Sequence, residues 1–212
     1  MRTFYVGTQR DIPRTTGLGI RGDYQVQVTK EHPGTVINVG CNEDPMRLKD
    51  TYGNRVINCD LEEWDRYMER PNATDVVFNC LVTPWPFVDN YAELVILGDI
   101  LEHFPPHESQ RVCKEALRVG KKLCVTVPED FRIDEQKEQE KWDHDVYNLH
   151  TTTVTKDIVE KFITEAGWKI VELVSDEWGF DNVYGYCVLA ERASTPAFAT
   201  GGIVESSPRF AG

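Results

Sequence analysis

Short apolar runs alternate with polar stretches of helical periodicity through most of the chain. Seven of these runs are rich in β-branched and other apolar residues, which predicts strands buried in a sheet. The predicted strands are Thr35–Val39, Arg55–Cys59, Asp75–Cys80, Tyr91–Gly98, Lys122–Val127, Trp168–Val174 and Tyr184–Ala190. The last two are close enough in sequence to form a hairpin, which would place an antiparallel strand at one edge.

Helices are predicted between the strands from capping residues and from apolar positions that share one face. Asp44 and Pro45 suit the start of a helix after the first strand. The other helices are predicted at Leu61–Arg70, His107–Val119 and Thr155–Ala166. Gly120 and Gly167 suit the ends of the last two. The alternation predicts an α/β fold, an open and mostly parallel sheet with helices on both faces.

The two ends of the chain differ in composition from the middle. Residues 1–34 are mixed and polar, and predict an irregular or partly helical lead-in that could cap a pocket. Residues 35–193 carry the alternating pattern and predict the folded domain. Residues 194–212 are rich in Ala, Gly, Ser, Thr and Pro, which predicts a flexible tail. Residues 129–150 are charged without periodicity and predict a surface loop or lid.

The composition is that of an acidic protein. The 212 residues carry a formal net charge of −12, and Lys and Arg form no cluster. Phosphate backbones are bound through basic side chains, so the charge argues against nucleic acid and against a membrane surface as partner. Six cysteines without a CxxC pair are typical of a reduced intracellular protein. We find no apolar signal segment or run of membrane length, and expect a cytoplasmic protein.

The turn after the first strand indicates a ligand. The pattern predicts a βαβ unit: the first strand, the turn at Gly40, a helix, and a second strand that ends in Asp60. Asp60 follows Gly40 by about the 20 residues expected for an acid that binds a ribose. The turn has one glycine and two carboxylates, Glu43 and Asp44, which would repel the pyrophosphate of NAD. A ribose-bearing ligand with a positive centre and no phosphate fits better, and S-adenosylmethionine is such a molecule. The alternative is that Asp60 only caps the next helix.

From Val36 to Trp168 the chain resembles class I S-adenosylmethionine-dependent methyltransferases of the type 11, ubiquinone-biosynthesis-methyltransferase-like kind. The residues that carry the resemblance are VINVGCNEDP, NCD, WPFVDNYAELVILGDILEHF, VTVP and HTT…AGW. It implies a Rossmann-like seven-stranded sheet in the order 3-2-1-4-5-7-6 with the last strand antiparallel. It also implies S-adenosyl-L-methionine as cofactor and methyl transfer to an oxygen, nitrogen or carbon of a small-molecule acceptor.

The resemblance also implies roles for individual residues in binding the cofactor. Gly40 would let the backbone approach the methionine part, where Gly98 would also lie. Asp60 would bind the ribose hydroxyls and Leu61 would pack on the adenine. The backbone near Leu81 and Val82 would meet the adenine edge.

Three positions depart from the family pattern. Asn38 stands where an acidic residue is usual, Asn42 where a second glycine is usual, and Leu81 where an aspartate is usual. The missing aspartate removes a hydrogen bond to the adenine amine, which is worth about 1 kcal/mol net. Asn38 and Asn42 can still supply hydrogen bonds, so Asn42 stays among the predicted cofactor residues.

Four residues near the predicted ligand edge are candidates for chemistry. Asp99, Glu102, His103 and His150 are the candidate bases, and His103 is preferred because its neutral form is available near pH 7. The alternative is that Glu102 and His103 only brace the turn after the fourth strand. No metal is expected by default. The sequence DILEH, with His150, is nevertheless similar to the E-x-x-E-H arrangement of metal-dependent small-RNA 2′-O-methyltransferases, so Asp99, Glu102, His103 and His150 are an alternative site for Mg²⁺, Mn²⁺ or Zn²⁺.

Two other functions stay open at this stage. The acceptor could be a nucleic acid or a protein instead of a small molecule, although the acidic charge argues against nucleic acid. A binding module that keeps the fold without turnover is the second alternative, because of the departures at Asn38, Asn42 and Leu81. The sequence leaves the methyl acceptor and the oligomeric state open.

Overall fold

Strands and helices alternate along the described chain, as the apolar pattern predicts. The computed structural model describes residues 5–6, 19–41, 54–61, 74–129, 150–177 and 184–193. The strands are β1 (Tyr5–Val6), β2 (Thr35–Val39), β3 (Arg55–Asp60), β4 (Val76–Val77), β5 (Ala92–Gly98), β6 (Gly120–Glu129), β7 (Trp168–Glu177) and β8 (Tyr184–Arg192). The helices are α1 (Gly19–Glu31), α2 (Pro106–Val119) and α3 (Lys156–Glu165), with a 3-10 turn at Leu101–His103.

Within the described residues the strands form one eight-stranded sheet in the order β1-β7-β8-β6-β5-β2-β3-β4. The seven predicted strands have the order 3-2-1-4-5-7-6, which is confirmed, and β1 extends one edge. The pairs from β4 to β6 are parallel, whereas β8 runs antiparallel to both β6 and β7. The hairpin therefore does not place its antiparallel strand at the edge. Instead, β8 lies between β6 and β7 and pairs with both of them.

The central strands are buried on both faces, as expected for parallel strands. On one face, alternate residues such as Ile37 and Leu97 pack with apolar residues of α2 and α3. On the other face, residues such as Val36 and Ile96 pack with Tyr24 of α1 and its neighbours. Helices thus cover both sides of the sheet, which fixes the strands and leaves their ends for a ligand.

The lead-in contains more regular structure than the sequence pattern predicts. Strand β1 pairs antiparallel with β7, and α1 packs on the sheet through Tyr24 and Val28, both fully buried. The Tyr24 hydroxyl donates a hydrogen bond of 3.0 Å to the Glu172 carboxylate on β7. This contact joins α1 to β7, the strand next to the edge strand β1. The predicted domain boundaries stay predictions.

Some element ends differ from the prediction for local reasons. The third strand is assigned only to Val76–Val77, although the Asp75 and Phe78 amides on either side still donate to β3, and beyond them the Asn79 side chain accepts the Leu81 amide in a turn. Gly120 does not adopt a left-handed cap. Its φ of −107° and ψ of 158° already belong to strand β6.

Several predictions lie outside the described residues. They are the helix from Asp44, most of the helix Leu61–Arg70, residue Asn42, the interior of the lid at 129–150 and the tail 194–212. None of the helices in the described ranges is long and apolar enough to span a bilayer.

The Tyr24–Glu172 hydrogen bond gives a test of this packing. Tyr24→Phe removes a hydrogen-bond donor to the Glu172 carboxylate, whose residue is 5% exposed. A buried polar group that loses its partner costs about 1–3 kcal/mol, so we expect the free energy of unfolding in urea to fall by about that amount. Tyr91→Phe, at a tyrosine that is 36% exposed, is the matched control and should change it by less than about 0.5 kcal/mol. Equal values for the two variants would contradict the packing of α1.

Candidate functional site

The carboxyl ends of the central parallel strands meet at one edge of the sheet. The register pairs Val39 with both Cys59 and Leu97, and pairs Gly98 with Thr126. The residues that follow these positions are therefore side by side, and they include Gly40, Asp60 and Asp99. Ligands of open parallel sheets bind at this edge.

Gly40 makes a tight turn that holds the end of β2 against β3. Its φ is +71°, which side chains other than glycine rarely adopt. The amides of Gly40 and Cys41 both donate to the Cys59 carbonyl, at 2.9 and 3.1 Å. A Cβ at Gly40 would lie 2.8 Å from Ile100 Cδ1. Glycine is thus required both by the backbone and by the space.

Asp60 is half-buried at the end of β3, next to this turn. Its Oδ1 accepts the Leu61 amide at 2.6 Å. Burial, the Asp60 charge and a hydrogen bond with that carboxylate raise the pKa of the Cys41 thiol to about 12. Cys41 therefore stays protonated at neutral pH, when it can donate to Asp60. The Asp60 carboxylate thus lies between Cys41, which follows Gly40, and Leu61. This is the place where the sequence predicts a ribose.

Apolar side chains are exposed at two places: directly after Asp60, and in the segment that follows β4. Leu61 is 37% exposed and Val82 is 63% exposed, while Leu81 is half-buried. The amides of Leu81 and Val82 both donate to Asn79, at 2.9 Å each. Contact of these amides with an adenine therefore stays a prediction, and it would require the Asn79 turn to open. The side chains can contact an apolar ring without that change.

The asparagines that depart from the family pattern have different positions. Asn38 is buried and its side-chain amide donates to Asn58 Oδ1 at 3.1 Å, in register across β2 and β3. The hydrogen bond that was predicted for Asn38 is thus made inside the sheet. Asn42 lies outside the described residues.

Gly98 is covered by a side chain of the lead-in helix. A Cβ at Gly98 would lie 2.6 Å from Gln25 Nε2. That nitrogen donates to Thr126 Oγ1 at 2.7 Å, and Thr126 Oγ1 donates in turn to Asp99 Oδ1 at 3.1 Å. The chain of hydrogen bonds links α1, β6 and the end of β5.

Asp99 forms an ion pair that sequence reasoning missed. Its Oδ2 lies 2.6 Å from Arg21 Nη1, and its amide donates to the Thr126 carbonyl at 2.8 Å. Burial raises the pKa of Asp99, against the opposing effect of Arg21. The sequence predicted that Asp99 shares one helical turn with Glu102 and His103, and this is wrong. Asp99 has a φ of +52° and precedes the 3-10 turn that contains the other two residues. The available signal was the spacing of Arg21 and Gln25, which puts both on one face of α1.

The structure brings Glu102, His103 and His150 together. Glu102 is 1% exposed, and its Oε1 lies 4.0 Å from His103 Nε2 and 3.9 Å from His150 Nε2. The two imidazole rings meet edge to face with centroids 5.0 Å apart. The side chains of both histidines are about one-fifth exposed, so a ligand can reach them.

The backbone holds this group in place from both sides. The amides of Thr151 and Thr152 donate to the Glu102 carbonyl at 2.9 and 3.1 Å. The Thr152 hydroxyl donates to the Phe104 carbonyl at 2.8 Å. The segment that carries His150 is thus fixed to the 3-10 turn that carries His103.

Among the described residues, this is the only group of three or more potential metal ligands from His, Cys, Asp and Glu. The ligand atoms of Glu102, His103 and His150 lie within 4.8 Å of one another, and Asp99 is not a member. Cys41, Cys59 and Cys80 form no such group in the described ranges, and burial is the main cause that raises the pKa of each of their thiols. Cys59 and Cys80 belong to the buried apolar cluster on one face of the sheet.

No protein-family model and no curated protein matches the sequence. Solved structures do match. A SAM-dependent methyltransferase from Methanosarcina mazei superposes with a TM-score of 0.58 at 14% identity, over 79% of this chain and 96% of that chain. The 1,6-didemethyltoxoflavin-N1-methyltransferase of Burkholderia thailandensis, with bound S-adenosylhomocysteine, gives 0.61 at 12% identity, over 84% and 80%.

A third match is the small RNA methyltransferase HEN1, with a TM-score of 0.55 at 14% identity, over 81% of this chain and 25% of that chain. At these identities the likeness concerns the fold. The strand order, the antiparallel strand β8 between β6 and β7, and the glycine turn at the carboxyl edge agree with it. The chain has the Rossmann-like fold of class I S-adenosylmethionine-dependent methyltransferases.

Proposed function

We propose that the protein is an S-adenosylmethionine-dependent methyltransferase that acts on an oxygen, nitrogen or carbon of a small-molecule acceptor. The observation that carries this proposal is the position of Asp60. Its carboxylate lies beside the left-handed Gly40 turn at the carboxyl edge of the sheet, and exposed apolar side chains are close by. The fold shared with methyltransferases supports the same function.

The cofactor would lie across the ends of β2, β3 and β5. Asp60 would accept hydrogen bonds from the ribose hydroxyls, because an ionised carboxylate offers acceptors only. Leu61, Leu81 and Val82 would contact the adenine. The methionine part would lie near the ends of β2 and β5, at Gly40 and Gly98, where Gln25 of α1 lies over Gly98 and would border it.

The protein would contribute mainly alignment to the reaction, and little covalent chemistry. Methyl transfer is an in-line displacement at the sulfonium carbon, and the cofactor supplies the reactive group. Alignment of acceptor and methyl can account for about 7–11 kcal/mol of the barrier. For an oxygen or nitrogen acceptor, the neutral imidazoles of His103 and His150 can take the proton. Asp99 is engaged with Arg21 and Thr126, so we assign it a positioning role.

The acidic charge favours a small acceptor. The net charge is −12, and a polyanionic acceptor would be repelled unless a local basic surface compensated for it. The Burkholderia thailandensis enzyme is bound to the small molecule 1,6-didemethyltoxoflavin, whereas HEN1 is a small RNA methyltransferase, so the fold serves both kinds of acceptor. The negative net charge of this chain favours a small-molecule acceptor over RNA.

Asp60→Asn tests the cofactor site. The substitution keeps the shape and removes the charge that the ribose hydroxyls would meet. Hydrogen bonds to a charged group are worth about 1.5–3 kcal/mol, so we expect affinity for S-adenosylhomocysteine in titration calorimetry to fall roughly 10- to 150-fold.

Asp157→Asn is the matched control for this experiment. Asp157 is exposed in the first turn of α3 and is not among the residues proposed to bind the cofactor, so its variant should bind as the unchanged protein does. The proposal fails if the unchanged protein binds neither S-adenosylmethionine nor its product, or if Asp60→Asn binds as tightly as Asp157→Asn.

Release of S-adenosylhomocysteine tests the acceptor class. We expect turnover with at least one member of a diverse small-molecule library and none with a mixed RNA pool. Between about 50 and 200 mM salt, binding through six to ten phosphate contacts falls about 10³–10⁵-fold, so turnover of a small acceptor should change far less than this. Salt-sensitive turnover of RNA, abolished by Asp60→Ala, would show that the acceptor class is wrong while the activity is right.

A further inference from the structure

The group formed by Glu102, His103 and His150 has the composition of a metal site. It combines one carboxylate and two imidazoles from two separate segments of the chain. Two imidazoles and one carboxylate form the donor set of several catalytic zinc sites and of non-haem iron sites. Hard cations such as Mg²⁺ prefer oxygen ligands, so this set favours a first-row transition metal.

The geometry is close to that of a bound ion. Around Zn²⁺, ligand atoms at about 2.0–2.1 Å from the metal lie about 3.4 Å from one another. Here the two Glu102–histidine separations are 4.0 and 3.9 Å, and all three ligand atoms lie within 4.8 Å. Separations must shorten by roughly 0.5–1.5 Å, which small rotations of the side chains can supply.

The surroundings restrict the group to this arrangement. The Thr151 and Thr152 amides bind the Glu102 carbonyl, so the segment with His150 cannot move away without breaking both hydrogen bonds. Glu102 is buried, and the imidazoles are partly exposed on the other side. An ion would thus be anchored by the buried carboxylate and be reached from solvent past the histidines.

We propose that Glu102, His103 and His150 bind one divalent transition-metal ion, with Zn²⁺, Co²⁺ or Fe²⁺ as the class that fits. Asp99 is not a ligand, because its carboxylate is held by Arg21 and Thr126. Three protein ligands leave at least one coordination position for water or another oxygen ligand.

The open position gives the ion a role that rests on the proposed methyl transfer. A metal-bound hydroxyl has a lowered pKa, so an acceptor oxygen bound there would be a better nucleophile. The imidazole nitrogens would then be ligands, and the proton of the acceptor hydroxyl would pass to solvent water at the exposed side of the group. Binding of the ion does not depend on that role, so the two can be tested apart.

The test is a titration of the full chain, without a histidine tag, after removal of metal by a chelator. Co²⁺ is the probe, followed by its visible absorption, and Zn²⁺ is followed by calorimetry. No cofactor is present. We expect one equivalent to bind, and His103→Gln and His150→Gln each to weaken binding by at least about 10–100-fold, since even residues around metal ligands have effects of this size.

His107→Gln is the matched control. His107 is close in sequence, has a side chain that is 78% exposed and is outside the group, so its variant should bind as the unchanged protein does. Glu102→Gln is included with circular dichroism and a thermal melt as a check on folding, because Glu102 is buried. The two histidine variants carry the conclusion if Glu102→Gln does not fold.

Two results would overturn the proposal. One is the absence of stoichiometric binding of either ion to the unchanged protein. The other is equal affinity of the His103→Gln, His150→Gln and His107→Gln variants, which would place any bound ion elsewhere. Neither result bears on S-adenosylhomocysteine binding, which tests the proposed function.

Discussion

The in-register parallel pairing of β2 with β3 and β5 is the constraint on which the rest of the structure depends. It places the ends of all three strands at one edge, so that Gly40, Asp60 and Gly98 become neighbours although they are far apart in sequence. Burial of apolar side chains on both faces fixes that register, because a slip by one residue would turn each side chain to the other face. The candidate cofactor site is a consequence of how the strands pack.

The lead-in helix adds a second layer to this edge. Arg21 pairs with Asp99, and Gln25 fills the space above Gly98 and binds Thr126. These contacts define the conformation of the turn after β5, which leads directly into the 3-10 turn with Glu102 and His103. The start of the chain therefore shapes the edge at which both the proposed cofactor and the proposed ion would bind.

Much of the fold could be predicted from the sequence because its determinants are local. Apolar β-branched runs, the single glycine after β2 and the acid after β3 each have a physical meaning at short range, and together with the resemblance to a known family they predicted the sheet order. The Arg21–Asp99 pair spans 78 positions, from 21 to 99, and the helical spacing of Arg21 and Gln25 does not identify Asp99 as the partner. Likewise, no local pattern pairs Tyr24 with Glu172, 148 positions apart.

The candidate site was predicted in part for the same reason. Glu102 and His103 are adjacent, and their meeting with His150 was anticipated from the strand ends. Asp99 was wrongly placed on their helical turn, because its left-handed backbone and its partner on α1 depend on tertiary packing. The Asn79 turn, which engages the amides of Leu81 and Val82, likewise depends on side-chain contacts that a strand pattern does not reveal.

A crystal structure with S-adenosylhomocysteine tests the central claim most directly, because the claim concerns where one carboxylate points. We predict that the ribose hydroxyls lie within hydrogen-bond distance of Asp60, about 2.5–3.0 Å for oxygen to oxygen, and that the homocysteine part lies against the Gly40 turn. A nucleoside bound elsewhere, or one bound at this edge with Asp60 turned away from its ribose, would contradict the account.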